Sequence, residues 1–395
     1  MAQSTTALDA AAQATPRNQG EPTTKKPGGL VRTLIIRHYP KPFECLLEEG
    51  HPMNLKELSE KLGLSQTTVS RALNGYPEVS EETRRRVQEF ARRMNYQPNS
   101  NARRLATGKS NTIGHVVPLS EHDMLNPHFT DFVAGASKVY NRRGYDMLIS
   151  VVNAGTEKEV YRNLARNRRV DGVIVHGPRV KDDRVRILTD LKLPFVIHGR
   201  TNDPEDGYCW VDVNNRRAFA KATEYLIEAG HRRIALINGL EFMTFAANRR
   251  EGMEKALREH GIEPDAEIMF SSDMIEPNGY GAMTDFLSHR DPPTAVLCSS
   301  ILTAMGAMRA MHERGFSVGR DLSLIAYDDC LSFLPSTGDH PSMTVMRSSI
   351  RLAGELCADM LIDQIEKKPG RRNHLLEAEF VIGSSTGPVR AKATA

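Results

Sequence analysis

The sequence predicts a small all-α head followed by a larger α/β body. Three observations predict it. Between residues 54 and 110, apolar side chains recur at helical spacing in three short stretches. Basic charge is concentrated in that same segment. From residue 111 onward, short apolar runs alternate with amphipathic stretches, the mark of parallel sheets covered by helices. At 395 residues the chain is also too long for one core.

Leu55, Leu58 and Leu62 give a first helix one apolar face. Gly63-Leu64-Ser65 supplies a tight turn, with Ser65 placed to cap the next helix by accepting a backbone N–H. In Gln66-Thr67-Thr68-Val69-Ser70-Arg71-Ala72-Leu73, Val69 and Leu73 point inward. Gln66, Thr67, Ser70 and Arg71 are left on the open face, and Asn74-Gly75 stops the helix. Ser80 caps a third helix whose Val87, Phe90, Ala91 and Met94 close a three-helix core, with Arg84, Arg85, Arg86, Arg92 and Arg93 outside. Two short helices joined by a Gly-containing turn form a helix-turn-helix, and the second helix is built to enter the major groove of DNA. From Met53 to Lys109, eleven basic residues face six acidic ones, a surplus of five in a chain of net charge +3. That asymmetry is the footprint of phosphate binding.

Residues 55–75, with Val79-Ser80, Asn95-Tyr96, Pro98-Asn99 and Ala102-Arg103-Arg104-Leu105-Ala106-Thr107-Gly108, resemble the LacI/GalR family of ligand-responsive repressors. The likeness runs from about Met53 to Pro388. It implies a headpiece over 53–98, a hinge helix over 99–110, and a two-lobed, periplasmic-binding-protein-like body over 111–388, with a tail at 389–395. The chain would cross between lobes three times, lobe 1 taking about 111–213 and 347–374, lobe 2 about 214–346 and 375–388.

A homodimer would then set two recognition helices on half-sites of a near-palindromic duplex. Gln66, Thr67 and Arg71 would read base edges, Arg71 being the best guanine reader. Thr68, Ser70, Asn74 and the third-helix arginines would grip phosphates. The resemblance further implies that the hinge folds on DNA, with Ala102 and Leu105 in the minor groove. Leu105 would wedge between base steps, an unstacking of roughly a few kcal/mol offset by added contact.

Residues 1–52 differ from the rest. Ala, Gln, Thr, Pro and Lys dominate up to Gly29, a composition that buries no core, so disorder is expected. Met53 sits where family members usually begin. The extension is therefore either an upstream start that the cell does not use or a dispensable basic arm (Lys25, Lys26, Arg32, Arg37). Five scattered cysteines without CxxC spacing fit a reduced compartment. The first residues have no basic n-region and no apolar h-region, so no secretory signal is expected, and no apolar run reaches the roughly 18 residues that span a bilayer. A cytoplasmic protein with no membrane partner is expected.

In the body, apolar runs at 112–118, 146–152, 171–176, 194–198, 233–238, 294–298 and 322–327 read as strands. Amphipathic segments such as 160–167, 218–228, 248–259 and 304–314 lie between them. A ligand belongs in the cleft outside the carboxyl ends of such strands. There stand His198-Gly199-Arg200, Ser299-Ser300 and Asp328-Asp329, with Arg249 near the start of the helix after Asn238-Gly239. Planar guanidinium and carboxylate groups each engage two adjacent hydroxyls, the chemistry a sugar demands. The resemblance places Arg249 and Asp328 where relatives hold sugar hydroxyls. Phe129 or Trp210 could stack on a sugar face, with core packing an equal alternative for each.

Three departures from the family pattern bear on the ligand. Ser300-Ile301 stands where Asn-Asp is common, His198-Gly199 where a strand-end Asp is usual, and Glu121-His122-Asp123-Met124 is extra. The head and the His-Gly-Arg loop are similar to regulators of α-glucoside uptake operons, which makes an α-glucoside the preferred effector.

No cofactor, metal or catalytic residue is expected. Gly108-Lys109-Ser110 has Arg103 where a phosphate loop needs its first Gly. Gly279-Tyr280-Gly281-Ala282-Met283-Thr284 lacks the third Gly or Ala of a dinucleotide fingerprint. No Gly-x-Ser-x-Gly elbow or metal-ligand spacing occurs, and Asp328-Asp329 are a weak acid/base pair. A sugar-binding transport protein would share the lobes but not need residues 66–73. An activator or a corepressor-dependent repressor stays open, because the sign of regulation is not written in these residues.

Overall fold

The computed structural model describes residues 53–96, 108–118, 127–153, 155–202, 207–328, 330–332, 341–370 and 372–389. The chain divides into a head ending at Tyr96 and a body beginning at Gln97. Residues 1–52, and Ala102 and Leu105 of the expected hinge, lie outside the described residues.

Among the described residues the head is three helices, α1 (Leu55–Leu62), α2 (Gln66–Leu73) and α3 (Glu81–Arg93). Asn54 and Glu57 form a capping box: Asn54 Oδ1 accepts from Glu57 N at 3.0 Å, and Asn54 N donates to Glu57 Oε2 at 3.2 Å. Ser65 caps α2 by accepting from Thr68 N at 3.1 Å, and Ser80 caps α3 by accepting from Thr83 N at 3.3 Å. Leu58, Leu62, Val69, Ala72, Val79, Val87 and Ala91 form the core, with Leu55, Leu73 and Phe90 packed against it. Met94, expected in that core, is instead 36% exposed. It is the C-cap of α3, and the chain turns back at Asn95 (φ 48°), so Tyr96 packs there in its place.

The body's strands are β1 (Thr112–Pro118), β2 (Asp146–Val152), β3 (Gly172–His176), β4 (Phe195–His198), β5 (Cys209–Val213), β6 (Ile234–Asn238), β7 (Met269–Ser271), β8 (Ala295–Cys298), β9 (Ser323–Asp328), β10 (Thr344–Arg347), β11 (Asn373–Leu376) and β12 (Glu379–Val381). They form two sheets, ordered β11-β5-β4-β3-β1-β2 and β12-β10-β9-β8-β6-β7. Neighbours run parallel except β10 and β12. Each sheet is wound alike: the chain goes from its first strand to one side, then returns to continue on the other. The switch points fall between β1 and β3 and between β6 and β8, the places where connections of such sheets diverge.

Among the described residues eight helices cover these sheets: α4 (Pro127–Arg143), α5 (Glu157–Arg166), α6 (Arg184–Asp190), α7 (Asn215–Glu228), α8 (Thr244–Glu259), α9 (Glu276–Leu287), α10 (Ile301–Glu313) and α11 (Ile350–Ile365). The Gly279-Tyr280-Gly281 stretch lies inside α9, where Gly279 lets that helix meet the Thr303 carbonyl of α10. The chain passes between sheets after Val213, Arg347 and Leu376. Strand pairing moves two of the expected boundaries. Arg347 pairs with Asp328 in the second sheet rather than opening lobe 1, and Leu375 and Leu376 pair in the first sheet rather than opening lobe 2. Backbone bonds also tie the lobes together: Thr244 N donates to Pro178 O at 2.9 Å and Val180 N to Phe242 O at 3.0 Å.

Helices α4 and α11 cross backbone to backbone at two glycines. A Cβ added to Gly135 would lie 2.0 Å from Arg351 O, and one on Gly354 2.2 Å from Phe132 O. Neither carbonyl belongs to a flexible side chain that could move aside. Gly135→Ala should therefore force the helices apart and destabilise the body by about 1–3 kcal/mol, read as a lowered melting temperature.

Candidate DNA-reading head and ligand site

On α2 the structure leaves Gln66, Thr67 and Arg71 exposed, while Thr68, Ser70 and Asn74 are half-buried. The second set is partly used within the head. Thr68 Oγ1 lies 2.8 Å from Ser65 Oγ, and Asn74 Nδ2 donates to Ser70 O at 2.8 Å. The exposed set keeps its donors and acceptors for an outside partner. The α3 arginines divide. Arg85, Arg92 and Arg93 are exposed, as expected for phosphate contacts. Arg84 instead donates to the carbonyls of Tyr76 (2.9 Å) and Val79 (3.2 Å), and Arg86 to Leu62 O at 3.0 Å. These two guanidiniums satisfy carbonyls that helix ends and turns leave open. They fasten the head rather than lying wholly free on its surface.

In lobe 2, Arg249, Ser300 and Asp328 gather at the carboxyl ends of β8 and β9. Arg249 is buried; its Nε donates to Asn215 Oδ1 at 2.8 Å and its Nη1 to Ser299 O at 2.6 Å. The guanidinium lies 3.8 Å from the Tyr327 ring centroid, beside Asp328 in sequence. Ser300 is buried as the N-cap of α10, where its Oγ accepts from Leu302 N at 3.1 Å. Asp328, also buried, accepts from Cys330 N at 2.8 Å. At the β6/β8 switch point, Ser299 Oγ donates to Asn238 Oδ1 at 2.7 Å.

In lobe 1, Phe129 and His198 join two histidines that the sequence reading did not single out. His115 on β1 and His176 at the end of β3 are 3.0 Å apart between Nδ1 and Nε2, and His115 Nε2 lies 2.9 Å from Tyr140 Oη. Phe129 meets both rings edge-on, and His198 lies against Phe132 at 4.6 Å between centroids. Arg184, in a buried ion pair with Asp182, donates to the carbonyls of His176 and Gly177 at 3.1 and 2.9 Å and so fixes the turn beneath the site. Burial holds His115 neutral, its pKa lowered to about 4, and lowers that of His176 as well, with help from the neighbouring rings. A polar residue interrupting an apolar strand run, as in Gly114-His115-Val116 and Val175-His176, was the sequence signal for both.

Arg200 is placed apart from these groups. Its Nε pairs with Asp212 at 2.9 Å and its guanidinium lies over Trp210 at 5.3 Å. It lines a cavity of about 580 Å³ with Tyr208, Trp210, Arg216, Asn248 and Arg372. Of the other residues expected at a ligand, only Trp210 lines that cavity. Asp212 is pushed up to about 6 by burial, which outweighs the opposing pull of Arg200 and Arg249. Among the described residues no cluster of His, Cys, Asp and Glu could hold a metal, and no helix is long and apolar enough to cross a membrane.

A helix-turn-helix head with exposed polar side chains on its second helix, joined to a two-lobed body with polar groups at its strand ends, defines a ligand-responsive DNA-binding regulator. Residues 54–99 match the bacterial regulatory proteins of the lacI family, and residues 110–382 match the periplasmic binding proteins and sugar binding domain of that family. The chain belongs to the LacI family and is a DNA-binding transcriptional regulator. The HTH-type transcriptional regulator AglR of Rhizobium meliloti (strain 1021) is 44% identical over 338 residues, covering 85% of this chain and 95% of that protein. RafR of Escherichia coli is 34% identical, covering 78% of this chain and 91% of its own. Among solved structures, the Lac repressor dimer bound to operator and the anti-inducer ONPF aligns with a TM-score of 0.71 at 27% identity, covering 85% of this chain and 100% of that one. The regulator CelR–cellobiose complex gives 0.62 at 28% identity, covering 84% and 99%.

Two outcomes follow from this geometry. Arg71→Ala should weaken binding by about 1–3 kcal/mol and relax specificity at one base pair, read by binding to single-substituted duplexes. Equal loss on every sequence would remove Arg71 from the readers. The second outcome concerns pH. His115 stays neutral in the fold down to about 4, whereas unfolded histidine titrates near 6.5, so stability falls as pH drops from about 6.5 towards 4. Between pH 7.5 and 5.0 the wild type should lose about 2 kcal/mol more than His115→Gln, measured by paired denaturation curves.

Proposed function

We propose that this chain is a cytoplasmic, homodimeric repressor of genes for α-glucoside uptake or catabolism, released from its operator when the sugar enters the body. The observation that carries the reading is the gathering of Arg249, Ser300 and Asp328 at the ends of the lobe 2 strands. Those are planar and hydroxyl groups suited to neighbouring sugar hydroxyls. Phe129 and His198 supply an aromatic and polar counterpart on lobe 1. Arg200, paired with Asp212, serves the rim. The relative solved with cellobiose supports a disaccharide in a body of this kind, and the Lac repressor solved as a dimer on operator supports the two-headed arrangement.

Gln66, Thr67 and Arg71 read bases; Thr68, Ser70, Asn74 and the exposed α3 arginines set register on phosphates. Ala102 and Leu105 enter the minor groove when the hinge folds on DNA. Sugar binding shifts the lobes and separates the two hinges. Moving such a switch from almost wholly bound to almost wholly released takes about 5.5 kcal/mol of differential affinity, so partial release is the expected response. The protein carries out no catalysis.

A gel shift on the DNA upstream of the protein's own gene, with maltose, sucrose and trehalose added in turn, tests the proposal. Release of DNA by at least one of them is expected. Tightening identifies a corepressor instead, and indifference to all three refutes the α-glucoside class.

A further inference from the structure

The histidines at the first switch point form an ordered chain of hydrogen bonds, and the direction of that chain can be read from its buried end. Tyr140 Oη is 2.9 Å from His115 Nε2 and has no other hydrogen-bond partner among the described residues. A buried hydroxyl whose proton goes nowhere costs about 1–3 kcal/mol, so Tyr140 donates and His115 Nε2 accepts. A neutral imidazole that accepts at Nε2 carries its proton on Nδ1. His115 Nδ1 therefore donates across 3.0 Å to His176 Nε2. By the same rule His176 carries its proton on Nδ1. Running the chain backwards would make Tyr140 the acceptor and strand its proton in the core.

The far end of this chain lies where a ligand is expected. His176 is the last residue of β3, partly exposed, and its Nδ1 has no hydrogen-bond partner among the described residues. Phe129 and Phe132 stand edge-on to its ring at 5.4 and 4.8 Å between centroids. A histidine packed only for core filling would bond both nitrogens to protein, as His231 does with Thr294, Ser323 and Gly387.

We propose that Tyr140 and His115 act as a relay that locks His176 in the Nδ1–H form and presents that donor, between aromatic edges, to an acceptor oxygen of the bound ligand. This deepens the sugar reading above and rests on it. The chemistry selected is a hydrogen-bond acceptor, which on a sugar is a hydroxyl or ring oxygen. A cationic ligand group would meet an N–H aimed at it. Tyr140 and His115 are positioning residues, since His115 is fully buried and Tyr140 reaches the site only through it.

The test uses the full chain. Side-chain ¹⁵N spectra of histidine-labelled protein at neutral pH should show Nδ1–H for both His115 and His176, the tautomer that free imidazole disfavours. Titration calorimetry with maltose, sucrose and trehalose should show Tyr140→Phe weakening the sugar that binds by about threefold to tenfold, alongside a lowered melting temperature because the buried His115 Nε2 loses its partner. His176→Gln, which keeps an N–H donor, should retain more affinity than His176→Leu. An Nε2–H signal from His176 in the wild type overturns the relay, whether or not Tyr140→Phe folds. Unchanged affinity in Tyr140→Phe, or equal affinities of the two His176 variants, overturns its role in binding. If the wild type binds none of the three sugars, the α-glucoside reading and the ligand half of this proposal fall together, and the tautomer pattern still decides the relay alone.

Discussion

The Arg249 guanidinium ties three parts of lobe 2 together. It bonds Asn215, at the first crossing between lobes; it bonds the Ser299 carbonyl, where β8 ends; and it lies over Tyr327, where β9 ends. A buried cation needs such partners, because without them its desolvation would be prohibitive. The consequence is mechanical as well as energetic. Whatever changes the environment of this arginine acts at once on the strand ends and on a segment joining the lobes. Asn215 extends the tie by donating to Val213 O, in the last strand before the crossing.

Parallel sheets explain why polar groups collect at such places. Both faces of these strands are covered by helices, so their interiors are apolar and a polar side chain is tolerated mainly at the carboxyl end. The switch points then concentrate those ends. One holds the His115–His176 pair, the other the Asn238–Ser299 pair. His115 is the instructive exception, a polar residue within a strand, kept neutral by burial and satisfied on both nitrogens. The contacts between lobes add a further constraint. Asp131 of α4 accepts from Ser332 N, in the loop that follows β9 and Asp328, and also from Arg351 of α11. Both lobes therefore share in placing that loop.

The head follows a different rule. Three short helices cannot bury much surface, so caps and side-chain bonds to carbonyls supply a large share of their order. Ser65, Ser80 and the Asn54–Glu57 box do this at the helix starts, and Arg84 and Arg86 do it at the ends and turns. The polar residues of α2 thereby separate into those bonded within the head and those left exposed.

Local pattern was enough to determine the head almost completely. Helix periodicity, serine caps and stop signals act within a few residues, which is why α1 to α3 were legible, and only the turn at Asn95 displaced Met94 by Tyr96. The same held for the seven strands that carry apolar runs of their own and for the strand-end positions of His198, Ser300 and Asp328. The strands β5, β7, β10, β11 and β12 were not legible, since several lie at or near sheet edges and owe their existence to a neighbour rather than to a run of their own. Nor could the sequence show which polar residues would meet. His115 and Tyr140 stand 25 positions apart and His115 and His176 61, and Arg249 reaches its partners across 34 and 50. Burial and hydrogen bonding between distant strands decided those encounters, because an unpaired polar group inside the body is too unfavourable to persist and its partner must come from wherever the fold brings one.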